Sequence, residues 1–441
     1  MRKWVWRTAA GWLAAMLVVC GATQAWAAAR TAIDTGDTAW LLMATALVLM
    51  MDIPGLSLFY AGMVRKKNVL ATAVQAFAVA ALVTVLWLGL GYSLAFTGGG
   101  DLNGLIGGLG RLFGIGLRGS VHPLAPTVPE NVFLMYQATF AIITPAIIAG
   151  AFAERMKFSA MMWFMGLWLL LVYVPVVHWI WGSGFLGRAG VLDFAGGLVV
   201  HLNAGIAGLV CALVIGKREG YGHEYMAPHN LVLTLIGTSL LWVGWFGFNA
   251  GSALSSGELA GAAMLNTHVA AAVAALVWMA VEWASRGKPS VLGVLSGAVA
   301  GLGAITPAAG YVEPWAAMAI GLAAGAVCYW SAVVLKTRLG YDDSLDVFGV
   351  HGISGMLGPL MVGVFATRAV NDVGHGQPVG LVDGSAHQLL IQLLGVLVVG
   401  AFSAGVTWVL LRIVDATVGL RVTREEETEG LDTVLHGERV Q

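Results

Sequence analysis

The sequence predicts an all-α polytopic membrane protein, and three observations lead to that fold class. Of its 441 residues, 58% are hydrophobic and only 11% are charged, whereas about 25% of the residues of a soluble domain carry a charge. The apolar residues form long continuous segments, each with roughly the 20 residues that a helix needs to cross a bilayer. These segments lack the period-two alternation of barrel strands, so we expect helices.

The same composition argues against several other classes of protein. The net charge of −1 offers no basic surface for nucleic acid, so no nucleic-acid partner is expected. Cys20 lies near the amino terminus, and Cys211 and Cys328 lie in apolar runs without the spacing of metal ligands. We therefore expect no metal site, no cofactor and no disulfide framework.

Residues 1–27 have the pattern of a cleavable signal peptide. A start with two arginines and a lysine precedes a short apolar stretch, and Ala25-Trp26-Ala27 fits a small-x-small cleavage site. The alternative is an uncleaved first span. We favour cleavage because the apolar stretch is short for a membrane-spanning helix.

Eleven apolar segments follow the predicted signal peptide. Their approximate bounds are 39–62, 70–97, 131–153, 158–184, 194–216, 231–254, 259–281, 291–312, 314–335, 347–366 and 387–412. Each is long enough to cross a bilayer. An odd number of spans allows two sets of five related by an inverted repeat, with one extra helix. Such repeats place a solute site between the halves, near the midplane of the membrane.

Lysine and arginine are distributed unevenly between the predicted loops. The loops after odd-numbered segments carry eleven of these residues, and the loops after even-numbered segments carry four. Because positively charged loops remain in the cytoplasm, we expect the mature amino terminus outside and the carboxyl terminus in the cytoplasm. A cleaved signal peptide requires the same outside start, so two independent patterns agree.

Two histidines, His201 and His351, lie inside predicted spans. A titratable group in hydrocarbon is costly and usually faces a partner or a pathway, and imidazole exchanges its proton near neutral pH. Asp193 lies eight residues before His201, and Asp346 lies five residues before His351. This similarity is a faint sign of an inverted repeat. The two histidines predict a pathway for a proton or for a small protonatable solute.

Three ordered motifs of this sequence occur together in one known family. They are Asp193-Phe194-Ala195-Gly196-Gly197 through His201 to Gly216-Lys217-Arg218, then Gly244-Trp245-Phe246-Gly247-Phe248-Asn249-Ala250-Gly251-Ser252, and Asp346-Val347-Phe348-Gly349-Val350-His351-Gly352. They resemble the ammonium transporters of the Amt/MEP/Rh superfamily, close to the bacterial Amt type, and the resemblance extends from about Trp40 to Glu438. It implies a homotrimer in the bacterial inner membrane. Each subunit would have eleven helices, five plus five plus one, and its own pore.

The resemblance also implies an outer ammonium site and a gate. Trp181, Phe140 and Ser252 align with the residues that bind ammonium at the outer mouth. Tyr136, one helical turn before Phe140, is a candidate for a further aromatic face. Phe140 and Phe248 align with the stacked pair that closes the pore beneath the outer site. Composition alone does not separate these roles from helix packing or from the aromatic belt at the membrane surface.

In the lumen, His201 and His351 align with the twin histidines of the family, whose rings share a hydrogen bond and can relay a proton. Asp193 aligns with an anchor that accepts backbone hydrogen bonds and supports the outer site without contacting the cation. Asp52 departs from the family pattern, which usually has a neutral residue there. Because Pro54 interrupts nearby helix bonding, we interpret Asp52 as a partner of the freed backbone groups. Contact with a vestibule cation is the alternative.

Residues 418–441 resemble the ordered cytoplasmic tail of the bacterial members, through Gly419-Leu420-Arg421, Gly430-Leu431-Asp432 and His436-Gly437-Glu438. In the family this tail helps a PII signalling protein to dock and block the pores. We therefore divide the chain into a signal peptide (1–27), a transmembrane transporter domain (28–417) and a cytoplasmic regulatory tail (418–441).

The predicted function is channel-like ammonium transport, without enzymatic activity. Ammonium, or methylammonium as its analogue, is recruited outside and deprotonated at the gate, and ammonia enters the cytoplasm. The twin histidines offer the proton a separate route. One alternative is an ammonium sensor of the same fold, and another is an Rh-type gas channel, against which Trp181 argues. A third is an electron carrier with His201 and His351 as axial haem ligands.

Overall fold

The computed structural model describes residues 33–373, 376 and 379–440. The predicted signal peptide lies outside the described residues. Within these ranges the chain is largely helical, with a two-stranded antiparallel hairpin formed by β1 (Val121–His122) and β2 (Ala125–Pro129). An all-α polytopic fold is therefore confirmed for the described part of the chain.

Ten helices in the described ranges are long and apolar enough to cross a membrane, and a further apolar helix has 15 residues. In chain order they are α1 (Thr35–Met63), α2 (Lys66–Phe96), α3 (Glu130–Phe152), α4 (Phe158–Arg188), α5 (Gly197–Ile215), α6 (Leu231–Gly251), α7 (Glu258–Arg286), the shorter α8 (Val291–Ile305), α9 (Pro314–Leu339), α10 (Phe348–Phe365) and α11 (His387–Val418). Helix α4 is interrupted after Ile180. The chain is thus a multi-pass membrane protein.

The segment predicted at 291–312 extends too far at its end. Helix α8 begins with a side-chain cap from Ser290 and ends at Ile305. Thr306 still has helical dihedral angles (φ −49°, ψ −48°), but Pro307 follows and has no backbone N–H with which to continue the helix. The chain forms turns there, and the Pro307 carbonyl accepts a hydrogen bond of 3.1 Å from the N–H of Phe194. The end of α8 is therefore joined to the segment that leads into α5.

Both predicted lumen histidines lie in π-helical turns. The turn in α5 is Gly197–Leu202, and the turn in α10 is Phe348–Gly352. A π-turn inserts one residue into the helical ladder and re-aims the side chains around it, and such turns are frequent at functional sites. His201 and His351 therefore project from locally widened helix, at corresponding places in two helices.

Helices α5 and α10 cross at glycines. A Cβ atom on Gly205 would lie 2.2 Å from the Cα atom of Gly352, and one on Gly355 would lie 2.3 Å from the α5 backbone. Small residues allow the backbones of membrane helices to approach closely. Because His201 is one turn from Gly205 and His351 is next to Gly352, this crossing brings the two imidazoles together.

The tail folds back onto one end of the helix bundle. It contains two short helices, α12 (Arg424–Glu429) and α13 (Leu431–His436). A carboxylate oxygen of Asp432 accepts a hydrogen bond of 2.8 Å from the N–H of Ala71 in α2. We call this end, with residues 418–440, the tail face, and the opposite end, with β1 and β2, the hairpin face.

The tail also contacts the loop that follows α3. The N–H of Lys157 donates to the Leu420 carbonyl over 2.9 Å, and the N–H of Val422 donates to the Arg155 carbonyl over 3.1 Å. The loops after odd-numbered helices carry most of the basic residues. The tail thus lies against loops of this basic set.

Candidate functional site

A cavity of about 470 Å³ lies at the hairpin face. Its walls include Phe140 of α3, Trp181 at the interruption of α4, Ser252 just after α6, and Asp193. The indole N–H of Trp181 donates a hydrogen bond of 2.8 Å to the Asp193 carbonyl, which fixes the ring over the cavity. The three residues predicted for the outer site, Trp181, Phe140 and Ser252, therefore share one cavity wall. We call it the vestibule.

Tyr136 lies one layer behind that wall. Its side chain is fully buried, and its hydroxyl lies 2.8 Å from the Phe248 carbonyl and 3.2 Å from the Ser252 hydroxyl. Its ring packs edge-on against Phe140, with centroids 5.1 Å apart. In this position Tyr136 supports Phe140 and Ser252 instead of presenting its own face to the vestibule.

A column of rings leads inward from the vestibule. Trp181 meets Phe140 edge-to-face at 5.7 Å, and Phe140 meets Phe248 at 4.2 Å with 30° between the ring planes. The Phe248 ring lies 6.1 Å from the ring of His201. Edge-to-face and offset contacts are the arrangements that aromatic pairs prefer. The contact between Phe140 and Phe248 separates the vestibule from the histidines.

The column ends in a pair of imidazoles. The Nδ1 atoms of His201 and His351 are 3.3 Å apart, and the rings are nearly parallel, with 15° between their planes. Both side chains are buried, at 1% and 5% exposure. A neutral imidazole has one donor and one acceptor nitrogen, so one ring donates to the other. The Nε2 atom of His201 has no hydrogen-bond partner among the described residues.

Trp245 is a member of this site that the sequence argument did not single out. Its ring stacks on His201 at 5.3 Å and 17°, and its N–H donates to the Thr306 hydroxyl over 2.8 Å. The available signal was its place in α6, one turn before Phe248 in the second motif. Trp245 and His351 also line a narrow apolar cavity of about 10 Å³ with Met51 of α1 and five other apolar side chains.

Asp193 holds the amino-terminal end of the α5 π-turn. Its two carboxylate oxygens accept four backbone hydrogen bonds of 2.6 to 3.0 Å, from Gly196, Gly197, Leu198 and Val199. Gly196 adopts φ +114°, a conformation that an L-residue rarely takes. The cap therefore fixes the orientation of the turn that carries His201 and of the loop whose Asp193 carbonyl holds Trp181.

Asp346, which the sequence suggested as the counterpart of Asp193, does not occupy that position. Asp343 does: it is fully buried and accepts a hydrogen bond of 2.7 Å from the first N–H of α10. Asp346 instead adopts φ +58° and pairs with Lys336 at 2.7 Å. Asp193 and Asp343 each lie eight residues before their histidines, and this equal spacing was the missed signal. Burial raises the pKa of Asp343 to about 6, although Lys336 opposes the shift.

Comparison with known proteins identifies the family. Residues 39–441 match the model of the Ammonium Transporter Family. The chain belongs to this family. It is 48% identical over 406 residues to the ammonium transporter of Bacillus subtilis, covering 92% of this chain and 98% of that protein. It is 49% identical over 413 residues to the ammonium transporter of Aquifex aeolicus, covering 93% and 95%. The resemblance seen in the three motifs is thus confirmed.

Solved structures of ammonium transporter family members have the same fold. The crystal structure of Saccharomyces cerevisiae Mep2 superimposes with a TM-score of 0.84 at 36% identity, covering 90% of this chain and 89% of that one. A sensor Amt protein superimposes with a TM-score of 0.83 at 30% identity, covering 91% and 98%. The fold is therefore shared by proteins that are described in different functional terms.

A buried ion-pair network lies at the tail face of this family member. Arg218 pairs with Asp342 at 2.8 Å and with Glu154 at 3.2 Å, and Arg65 pairs with Glu154 at 2.8 Å. Burial opposes the charged form of Asp342, but the hydrogen bonds and charge of Arg218 outweigh it and lower the pKa of Asp342. The network ties the ends of α1, α3 and α5 to the loop that carries Asp343.

Asp342→Asn should destabilise the protein by about 3 kcal/mol near neutral pH, because it leaves part of a buried charge unpaired. The folded-state pKa of Asp342 is lowered, so its contribution is fully present above the unfolded-state value of about 4 and is lost as the pH falls through the folded-state pKa. Thermal unfolding in detergent measures the difference between wild type and variant, which should shrink below about pH 4.

The exposed Glu429→Gln exchange is the matched control for Asp342→Asn and should have little effect at any pH. A difference between wild type and Asp342→Asn that stays constant down to about pH 3 would contradict the prediction.

Proposed function

We propose that this chain is a channel-like ammonium transporter of a bacterial inner membrane, conducting ammonia along the ring column. The observation that supports it best is the order of groups in one path. An aromatic vestibule leads through the Phe140–Phe248 contact to the hydrogen-bonded pair of His201 and His351. Membership of the ammonium transporter family, with bacterial relatives close to 50% identical, agrees with this proposal.

Recruitment begins in the vestibule. Moving a bare ammonium ion into hydrocarbon faces an idealised cost of roughly 20 kcal/mol, so the ion needs substitutes for its water. The faces of Trp181 and Phe140 attract a cation by about 0.5–2 kcal/mol each. The Ser252 hydroxyl already donates its proton to the Phe248 carbonyl over 2.8 Å. Its lone pairs therefore remain to accept an N–H of ammonium.

Deprotonation follows at the gate. Beyond the Phe140–Phe248 contact the lumen is apolar and buried, a setting that favours neutral ammonia over the cation. One N–H bond of ammonium breaks, ammonia moves inward, and the proton departs separately. Ammonia donates an N–H to a ring nitrogen, for which the free Nε2 of His201 is suited. The Nδ1 contact between His201 and His351 offers the proton a relay.

Asp193 has a supporting role in this scheme. Its carboxylate oxygens are occupied by four backbone N–H groups, which leaves little capacity for a direct contact with ammonium. Its carbonyl holds the Trp181 ring in place. The cap therefore positions the vestibule and the His201 turn together.

The assembly we propose is a homotrimer with eleven membrane-spanning helices and one pore in each subunit. The signal peptide (1–27) is removed, the transmembrane domain covers 28–417, and residues 418–441 form the regulatory tail. The excess of basic residues in loops on the tail side supports a cytoplasmic tail face and an external hairpin face. The docked tail, held by Asp432, offers a PII protein a surface beside the pore exit.

His201→Asp should reduce uptake of labelled methylammonium by about tenfold or more, because the hydrogen bond between the two neutral rings is lost from the path and a loss of about 1.4 kcal/mol corresponds to a factor of ten. Uptake and membrane current are recorded together in proteoliposomes. His268→Asn is the matched control, since His268 is an exposed histidine of α7. Uptake and current that are equal to wild type in His201→Asp would remove the relay role.

Trp181→Leu should weaken the apparent affinity for methylammonium by about 2- to 30-fold, the equivalent of one lost cation–π contact. The concentration dependence of uptake measures it. Trp163→Leu changes an exposed tryptophan of the same helix and should leave the affinity unchanged. An unaltered affinity in Trp181→Leu would argue against the outer site.

Native mass spectrometry of the purified protein tests the proposed assembly. We expect the mass of a trimer of chains that lack residues 1–27, and a mass increase when purified PII protein is added. Asp432→Ala removes the acceptor for the Ala71 N–H and should weaken PII binding, whereas Asp432→Asn retains an acceptor oxygen. A monomer would contradict the proposed trimer, and a retained signal peptide would contradict its cleavage. Equal PII binding by both variants would contradict the role of the docked tail.

The alternative function is ammonium sensing, and the similarity to a sensor Amt protein supports it. A sensor would bind methylammonium at the vestibule but would give neither uptake nor current. The proteoliposome assay above therefore separates the two functions directly.

A further inference from the structure

Asp52 is a buried acidic side chain that the proposed pathway does not use. It lies in the π-turn Met51–Gly55 of α1, well inside a membrane-spanning helix of 29 residues. Its side chain is 1% exposed. An acidic group at such a depth is expensive, and it persists where it has a partner or a function.

The structure overturns the sequence-based interpretation of this residue. Neither carboxyl oxygen of Asp52 has a hydrogen-bond partner among the described residues, so backbone groups freed by Pro54 do not use it. The helix closes the turn without the side chain, because the N–H of Leu56 donates to the Met51 carbonyl. An ionised carboxylate in this position would remain unpaired, which is strongly unfavourable for a buried charge.

Among the described helices that pack around Asp52, none places a compensating positive charge beside it. Helices α2, α3 and α6 pack against its turn, and α6 carries no titratable side chain. On α3, Glu130 is paired with Arg111 and the Tyr136 hydroxyl bonds to α6 carbonyls. On α2, Lys66 and Lys67 lie at the tail-face end and Tyr92 near the other end, bonded to Glu130.

Tyr173 is a second buried polar group in a turn that packs against α3, as the turn of Asp52 does. It lies in the π-turn Leu169–Tyr173 of α4 and is fully buried, and its hydroxyl also lacks a hydrogen-bond partner among the described residues. Two unpartnered oxygen-bearing groups thus come from π-turns of two helices.

We infer that Asp52 is a proton-binding site, a neutral carboxylic acid buried beside the lumen. Binding forms an O–H bond between the carboxylate and a proton and removes the unpaired charge. The neighbouring Met51, with Leu56 and Phe59 of the same helix, lines the apolar cavity beside His351. Loss of the proton would leave an unpaired negative charge on Asp52. The turn would then shift toward solvent and displace Met51 from the wall of that cavity. The inference does not depend on ammonium transport.

Infrared spectroscopy of the full-length protein in lipid vesicles tests the inference. We expect a carbonyl band of a protonated carboxylic acid at about pH 8, where solvent-exposed carboxyl groups are ionised. Asp343, with its pKa raised to about 6, is also ionised at that pH. Asp52→Asn should remove the band, and Tyr173→Phe should retain it. A wild-type spectrum without the band, or a band that persists in Asp52→Asn, overturns the inference.

Carbodiimide labelling of the wild-type protein provides a test that needs no variant. N,N′-dicyclohexylcarbodiimide adds the O–H of a protonated carboxyl across its N=C bond, and the adduct rearranges to a stable acylurea that peptide mass spectrometry detects. We expect labelling at Asp52. Asp37 is the internal control, since it is buried but accepts hydrogen bonds from Thr127 and Ser256. Labelling at Asp37 without labelling at Asp52 overturns the inference.

Discussion

The close contact between Gly205 of α5 and Gly352 of α10 is the constraint from which the geometry of the site follows. With any larger residue at this crossing the helices would separate, and the Nδ1 atoms of His201 and His351 would no longer lie 3.3 Å apart. The π-turns place the imidazoles on the facing sides of the two helices. The Asp193 and Asp343 caps then hold the entry of each turn. Backbone approach, turn and cap thus act together at two places in the chain.

Charged side chains lie where the free-energy cost of burying them is offset by a partner. The ring column contains aromatic and imidazole groups, and these can be buried without unpaired ionic charge. The paired ions Arg218, Asp342 and Glu154 instead collect at the tail face, where each has a partner. Desolvation of such groups is offset only when the pairing geometry is good. Asp52 is an exception, because its carboxyl oxygens have no hydrogen-bond partner among the described residues. A bound proton would remove its charge.

Much of the fold was accessible from the sequence, because bilayer thickness sets the length of a spanning helix and glycine-rich motifs are distinctive. The motifs also led to His201, His351, Phe140, Phe248 and Trp181, which the structure brings into one column. The end of α8 was misjudged because hydropathy does not register that Pro307 lacks the N–H that would continue the helix.

Other features depend on tertiary geometry that a sequence pattern does not report. The stacking of Trp245 on His201 follows from the rotation of α6 about its axis. The choice between Asp343 and Asp346 depends on a positive φ at Asp346 and on the reach of Lys336.

The Phe140–Phe248 contact, with ring centroids only 4.2 Å apart, has a wider consequence. Rings in van der Waals contact leave no room between them for a file of water molecules, so hydronium cannot hop along the axis there. The ring pair therefore interrupts any continuous chain of water between the vestibule and the histidines.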